Sequence, residues 1–198
     1  MKANVTMTAE VPSLTLPWSA GRLAAAAVGA YGAAAMPAIL YWPALSGSDV
    51  AAGALLAFVL IALTVIDIRS FRLPDALTLP LTAIGIGLAH GLGWASWADR
   101  AFAAAVGFLL LFLARGVYYR VRGRHGLGLG DAKLFAAAGA WTGLEGLAGV
   151  LLSGCILAVM CVGGLAMTGR QVSARVALPF GPFLAAGIWL VWLYGPPI

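Results

Sequence analysis

Three carboxylates stand among basic residues at the ends of apolar runs, and they are the groups in this sequence best suited to chemistry. Asp67 follows "AFVLIALTVI" directly, Asp75 follows Pro74 at the start of the next apolar run, and Asp131 closes the stretch "GLGLGD" (126–131). The other four acids, Glu10, Asp49, Asp99 and Glu145, read as solvated or helix-capping groups in a tail and in short loops. A carboxylate at the mouth of a membrane crossing is a cap or a reagent. An ionisable group inside a membrane segment is a functional-site hypothesis by default. Asp75, just after a proline, reads first as a cap.

Asp67 and Asp131 lie 64 residues apart and are expected at one membrane level. Two carboxylates brought within a few ångströms cannot both ionise easily and share a proton. One then activates water while the protonated partner polarises a peptide carbonyl, which is the chemistry of an aspartyl protease. Such a pair titrates as a unit.

The elements that must position these acids are membrane helices. Of 198 residues, 62% are hydrophobic and only 10% charged, with a mean hydropathy of +0.97. Soluble domains carry about a quarter charged residues, so the fold class expected is all-α, a polytopic membrane bundle. About seven crossings are predicted near 22–42, 50–67, 76–94, 99–119, 129–145, 147–168 and 178–194, each near the roughly 20 residues a bilayer requires. Residues 1–20 form a polar tail without the pattern of a cleavable signal, and 21–198 form one embedded domain. From Ala132 to Leu144 the chain is too short to cross, so the fifth span must borrow from "GLGLGD". Gly126, Gly128 and Gly130 disfavour helix there, and irregular backbone at membrane depth is tolerated where it lines a wet cavity.

Basic residues orient the chain. Lys2, Arg22, Arg69, Arg72, Arg115, Arg120, Arg122, Arg124, Lys133, Arg170 and Arg175 fall on one side and only Arg100 on the other. By the positive-inside rule the N-terminus is cytoplasmic, the C-terminus outside, and the acids face the cytoplasm. The net charge of +5 then reflects topology and anionic lipid headgroups, not nucleic acid. Cys155 and Cys161 share a span on different faces and read as packing residues. Trp18, Trp42, Trp94, Trp97 and Trp141 read as an interfacial belt.

The segments "IDIRSFRLPDALTLPL" (66–81) and "GLGLGDAKLFAAAGAW" (126–141) resemble the two signatures of type IV prepilin peptidases, within the GxGD class of intramembrane aspartyl proteases. The first has the D-x(6)-P-D and T-L-P-L pattern and the second G-x-G-D-x-K. "LPFGPFLAAG" (178–187) resembles the family's proline-framed motif. The resemblance implies catalytic acids at Asp67 and Asp131. It also implies cleavage of prepilin or pseudopilin precursors after a glycine that ends a short basic leader, in a bacterial inner membrane. No metal or organic cofactor is expected. Supporting roles are expected for Gly128, Gly130, Lys133, Pro74 and Asp75, and cavity-shaping roles for Pro179, Phe180, Gly181 and Pro182. The sequence looks like a short form without the cysteine-rich methyltransferase domain of longer members, which puts N-methylation in doubt.

Four alternatives stand beside this reading. Asp67 and Asp131 could serve as proton or cation sites of a small transporter, although carriers usually bind near the midplane. A scaffold could pack its Gly- and Ala-rich spans through small-residue contacts. A serine protease would pair His90 with Ser153, but no nucleophile motif surrounds that serine; a metalloprotease is disfavoured because the sequence holds no HExxH.

Overall fold

The computed structural model describes residues 25–26, 29–36, 46–123, 126–167 and 179–195. Among these the chain is all helical: α1 (29–36), α2 (Gly47–Ser70), α3 (Asp75–Gly91), α4 (Trp97–Arg122), α5 (Leu129–Met167) and α6 (Gly181–Tyr194). Three stretches are long and apolar enough to cross a membrane: Gly47–Ser70, Trp97–Arg122 and Leu129–Gly164. The polar tail 1–20, most of the first expected span, Trp18, Trp42, Arg124, His125, Arg170 and Arg175 lie outside the described residues.

Local chemistry sets the helix ends. Ser46 caps α2 through a reciprocal capping box with Asp49, which satisfies donors that a helix start leaves orphaned. Ser96 does the same for α4 by accepting from the Asp99 amide at 3.1 Å. Gly123 closes α4 in the left-handed conformation, at φ 66°, where glycine is favoured. Between α3 and α4, the Trp94 indole donates to Asp49 Oδ1 at 3.1 Å and ties that loop to the start of α2.

The fifth helix is two. Gly143 sits at φ 75°, ψ 179° within α5, a backbone state that L side chains rarely adopt. A straight helix would carry Phe135 and Leu147 about 18 Å apart at 1.5 Å per residue. Yet a Cβ on Gly107 would lie 2.5 Å from the Phe135 carbonyl oxygen and 3.2 Å from Leu147 Cδ2. The chain therefore folds back at Gly143. The first half of α5 runs antiparallel to α4, with Gly107 against Phe135 and Gly139 against Ala103. The second half runs antiparallel to α6, with Gly149 against Val191 and Gly154 against Phe183.

α5 is the centre of the bundle and packs on α3, α4 and α6, while α2 closes against α6 and α3. Phe135, Leu134, Leu56, Leu60, Leu63, Leu184 and Ile188 are fully buried between them. Hydrocarbon removes the hydrophobic drive between helices, so close van der Waals approach through small residues must hold them together. Gly107 and Gly139 supply that approach between α4 and α5.

One expectation about the far end is corrected. Trp141 is not a belt residue: it is 3% exposed, and its indole donates to the Leu81 carbonyl at 2.9 Å. Its ring lies where a Gly85 side chain would be, 2.6 Å from the Cβ position. Arg100, at the same end, is buried. Its Nη1 donates to the Trp141 carbonyl at 3.2 Å, near the C-terminal end of the first half of α5, where the helix dipole favours a cation.

Gly107→Ala and Gly139→Ala each place a methyl against backbone that cannot yield cheaply, so each is expected to destabilise the purified protein by about 1–3 kcal/mol. Gly87→Ala, with nothing within 4 Å of its Cβ position, is the control and should not lower the melting temperature in detergent.

Candidate active site

Asp67 lies in the last turn of α2, with Ile66 and Ser70 beside it at the end of the helix. The next residue after α2, Phe71, takes φ 51°, and its amide donates to the Asp67 carbonyl at 2.8 Å. A left-handed conformation at a residue with a bulky side chain costs about 1–2 kcal/mol. Pro74, at φ −69°, opens α3 without a side-chain cap. The connection between the helices is thus four residues, Phe71 to Pro74, fixed at both ends.

Asp131 lies in the first turn of α5. Its Oδ2 accepts from the Gly128 amide at 3.1 Å, the reach of a third-position acid back to the residue before the helix. The expected irregular stretch is shorter than "GLGLGD" implied, because Gly130 is already helical. Gly130 also faces Leu73, whose Cβ would be 2.8 Å from an added methyl.

The third component comes from the start of α6. The Gly181 amide donates to Asp67 Oδ2 at 3.1 Å, in a buried contact between residues 114 apart. A Cβ at Gly181 would lie 2.6 Å from that same oxygen and 3.0 Å from Asp67 Cγ. Pro182 follows in the first turn, where its missing N–H costs nothing. Each acid therefore accepts from an amide at a helix start, a donor otherwise left orphaned. Hydrogen bonds to a charged group are worth about 1.5–3 kcal/mol each.

Asp67 and Asp131 are both buried, at 5% and 8% exposure, yet both line a single cavity of about 590 Å³. Its wall is completed by the loop from Phe71 to Asp75 and by Gly128, Leu129 and Gly130. Among the described residues neither acid carries an ion pair, and no group of three or more His, Cys, Asp or Glu could hold a metal ion. Arg69, Arg72, Arg120, Arg122 and Lys133 lie at this end of the bundle, by the antiparallel order of the helices.

The supporting residues fall differently from their sequence reading. Asp75 does not cap α3 with its side chain; it sits in the first turn and pairs with Lys133 at 2.6 Å. That contact joins α3 to α5 at the cavity rim. Asp75 is 57% exposed, so the pair is worth no more than about 1 kcal/mol. Pro179, Phe180, Gly181 and Pro182 are not among the cavity-lining residues; their contribution is the Gly181 amide on Asp67. Leu73 lies inside the 66–81 segment, beside Pro74, but its type gave no reason to assign it a role from sequence. Ser153 donates to its own helix at the Gly149 carbonyl, 2.7 Å away.

Gly181→Ala is expected to push Asp67 out of its place and to cost about 1–3 kcal/mol as overpacking, read as a lower melting temperature than Gly87→Ala in the same detergent.

Comparisons with known proteins place the chain among relatives. Residues 54–163, more than half of the chain, match the profile described as the type IV leader peptidase family. A relative from Aeromonas hydrophila named prepilin leader peptidase/N-methyltransferase is 39% identical over 148 residues, 74% of this chain and 50% of its own. Relatives of the same name from Burkholderia pseudomallei (strain 1026b) and Pseudomonas putida are 39% and 36% identical, covering 77% and 72% of this chain and 48% and 49% of theirs. The chain thus spans about half the length of the curated relatives it matches. No solved structure matches it at a significant level. The matched region holds both acid-bearing segments, and with it the chain belongs to the type IV leader peptidase family.

Proposed function

We propose that this chain is an aspartic endopeptidase that removes the short basic leader from type IV prepilin-like precursors, with Asp67 and Asp131 as its catalytic pair. The observation that carries the reading is that two buried acids from distant helices open onto one cavity, each held by a glycine amide. Family membership and the names of the relatives support it.

In the proposed reaction the two acids hold one proton between them. The ionised carboxylate takes a proton from water as its oxygen attacks the scissile carbonyl carbon. The protonated carboxyl donates to the carbonyl oxygen. The tetrahedral intermediate then collapses, the C–N bond breaks, and a proton passes to the leaving amine. Gly128 and Gly181 leave room at the acids while fixing their Oδ2 atoms, so the pair is oriented before substrate arrives. The arginine-rich end is proposed to face the cytoplasm of a bacterial inner membrane, with about seven crossings and a cytoplasmic N-terminus. The precursor would enter there with its leader.

Asp67→Asn and Asp131→Asn are each expected to lower cleavage of a co-expressed prepilin by at least about 100-fold at unchanged membrane levels. Asp75→Asn should retain most of it, since its ion pair with Lys133 lies at the rim. Mobility of the precursor on a gel reads the result. Processing at the wild-type rate by both Asn variants would rule out the peptidase and favour the transporter.

A further inference from the structure

Leu73 packs against the edge of the core, and the end of its side chain reaches the surroundings of both acids. Its Cδ1 lies 3.3 Å from the Cβ position of Gly130 and 3.3 Å from that of Gly181. Gly130 precedes Asp131 in the chain, and the Gly181 amide holds Asp67. One leucine methyl is therefore the shared neighbour of the two glycines that flank the acids, and Leu73 lines the same cavity.

The backbone that carries this side chain is held at both ends. It is the four-residue connection clamped by the Phe71 amide at one end and by Pro74 at the other. Any peptide bond presented to both acids must put its carbonyl carbon between them. That carbon belongs to the residue before the scissile bond, whose Cβ is two bonds away. A side chain at that residue enters the space beside the acids, where Leu73 already stands. The residue after the bond carries its Cβ one bond further from the attacked carbon and is less constrained.

We propose that Leu73 is a specificity-determining residue that limits the position before the scissile bond to the smallest side chains. The proposal rests on the peptidase reading above and names the residue that sets its substrate preference. Leu73 touches no reacting atom; it acts by occupying volume.

The test compares initial cleavage rates of a co-expressed prepilin carrying Gly, Ala or Ser before the scissile bond. Wild type, Leu73→Ala and Leu73→Val are measured at matched membrane levels. Wild type should favour Gly strongly. Leu73→Ala should shift the Gly-to-Ala rate ratio toward Ala by about tenfold or more, the discrimination that one or two methylenes of pocket volume provide. Leu73→Val should fall between. A merely structural role would lower all three rates together and leave the ratio alone. An unchanged ratio, or loss of every substrate in both variants, overturns the proposal and makes Leu73 a packing residue. Failure of wild type to cleave the Gly precursor is a different outcome: it removes the peptidase reading, and this proposal with it.

Discussion

The arrangement at the cavity depends on what two glycines lack. Gly130 and Gly181 have no Cβ, and the space each leaves is used at once by a neighbour: Leu73 for the first, the Asp67 carboxylate and Leu73 for the second. A methyl at Gly130 would meet Leu73 Cβ at 2.8 Å, and one at Gly181 would meet Asp67 Oδ2 at 2.6 Å, nearer than packed side chains stand. The starts of α5 and α6 and the connection between α2 and α3 converge only because these contacts are permitted. The convergence is what sets two acids from separate helices on one cavity.

The reversal at Gly143 makes that convergence possible. By folding α5 back on itself, it returns the chain to the end of the bundle where α6 begins. Both α5 and α6 then offer their N-terminal amides at one level. Those amides are the donors a helix cannot satisfy internally, and within a membrane an unsatisfied one is costly. The acids and the amides complete one another: Gly128 donates to Asp131 and Gly181 to Asp67. At the far end the first half of α5 leaves the complementary group, the Trp141 carbonyl, which accepts from Arg100 Nη1.

Under the proposed function, this division between ends separates stability from chemistry. The far end is closed by buried aromatic and arginine contacts, and the α4–α5 seam by Gly107 and Gly139. At the other end, a short strained connection, two glycine-held acids and an exposed ion pair between Asp75 and Lys133 border the cavity. The cavity of about 590 Å³ at that end is where the proposed cleavage would take place.

Much could be read from the sequence because membranes constrain it tightly. The helical fold class followed from apolar length and scarce charge. The common end of the acids followed from the bias of arginine. The two acids themselves stood out because carboxylates are expensive near hydrocarbon and rarely placed there without use. Position-specific packing was not legible. Trp141 had the composition of a belt residue but was claimed by Gly85 and Leu81 in the interior. Asp75 followed a proline as a cap would, yet its side chain found Lys133 on another helix, 58 residues away. Gly181 read as part of a wall, because no one-dimensional pattern reveals that an amide will face a carboxylate 114 residues earlier. Leu73 lay inside the first signature segment, but nothing there showed which glycines it would meet. Local chemistry and hydropathy act through neighbours in the chain, and these the sequence determined. The partners of Asp67, Asp75, Trp141 and Leu73 meet only when helices pack, so only the tertiary structure could decide them.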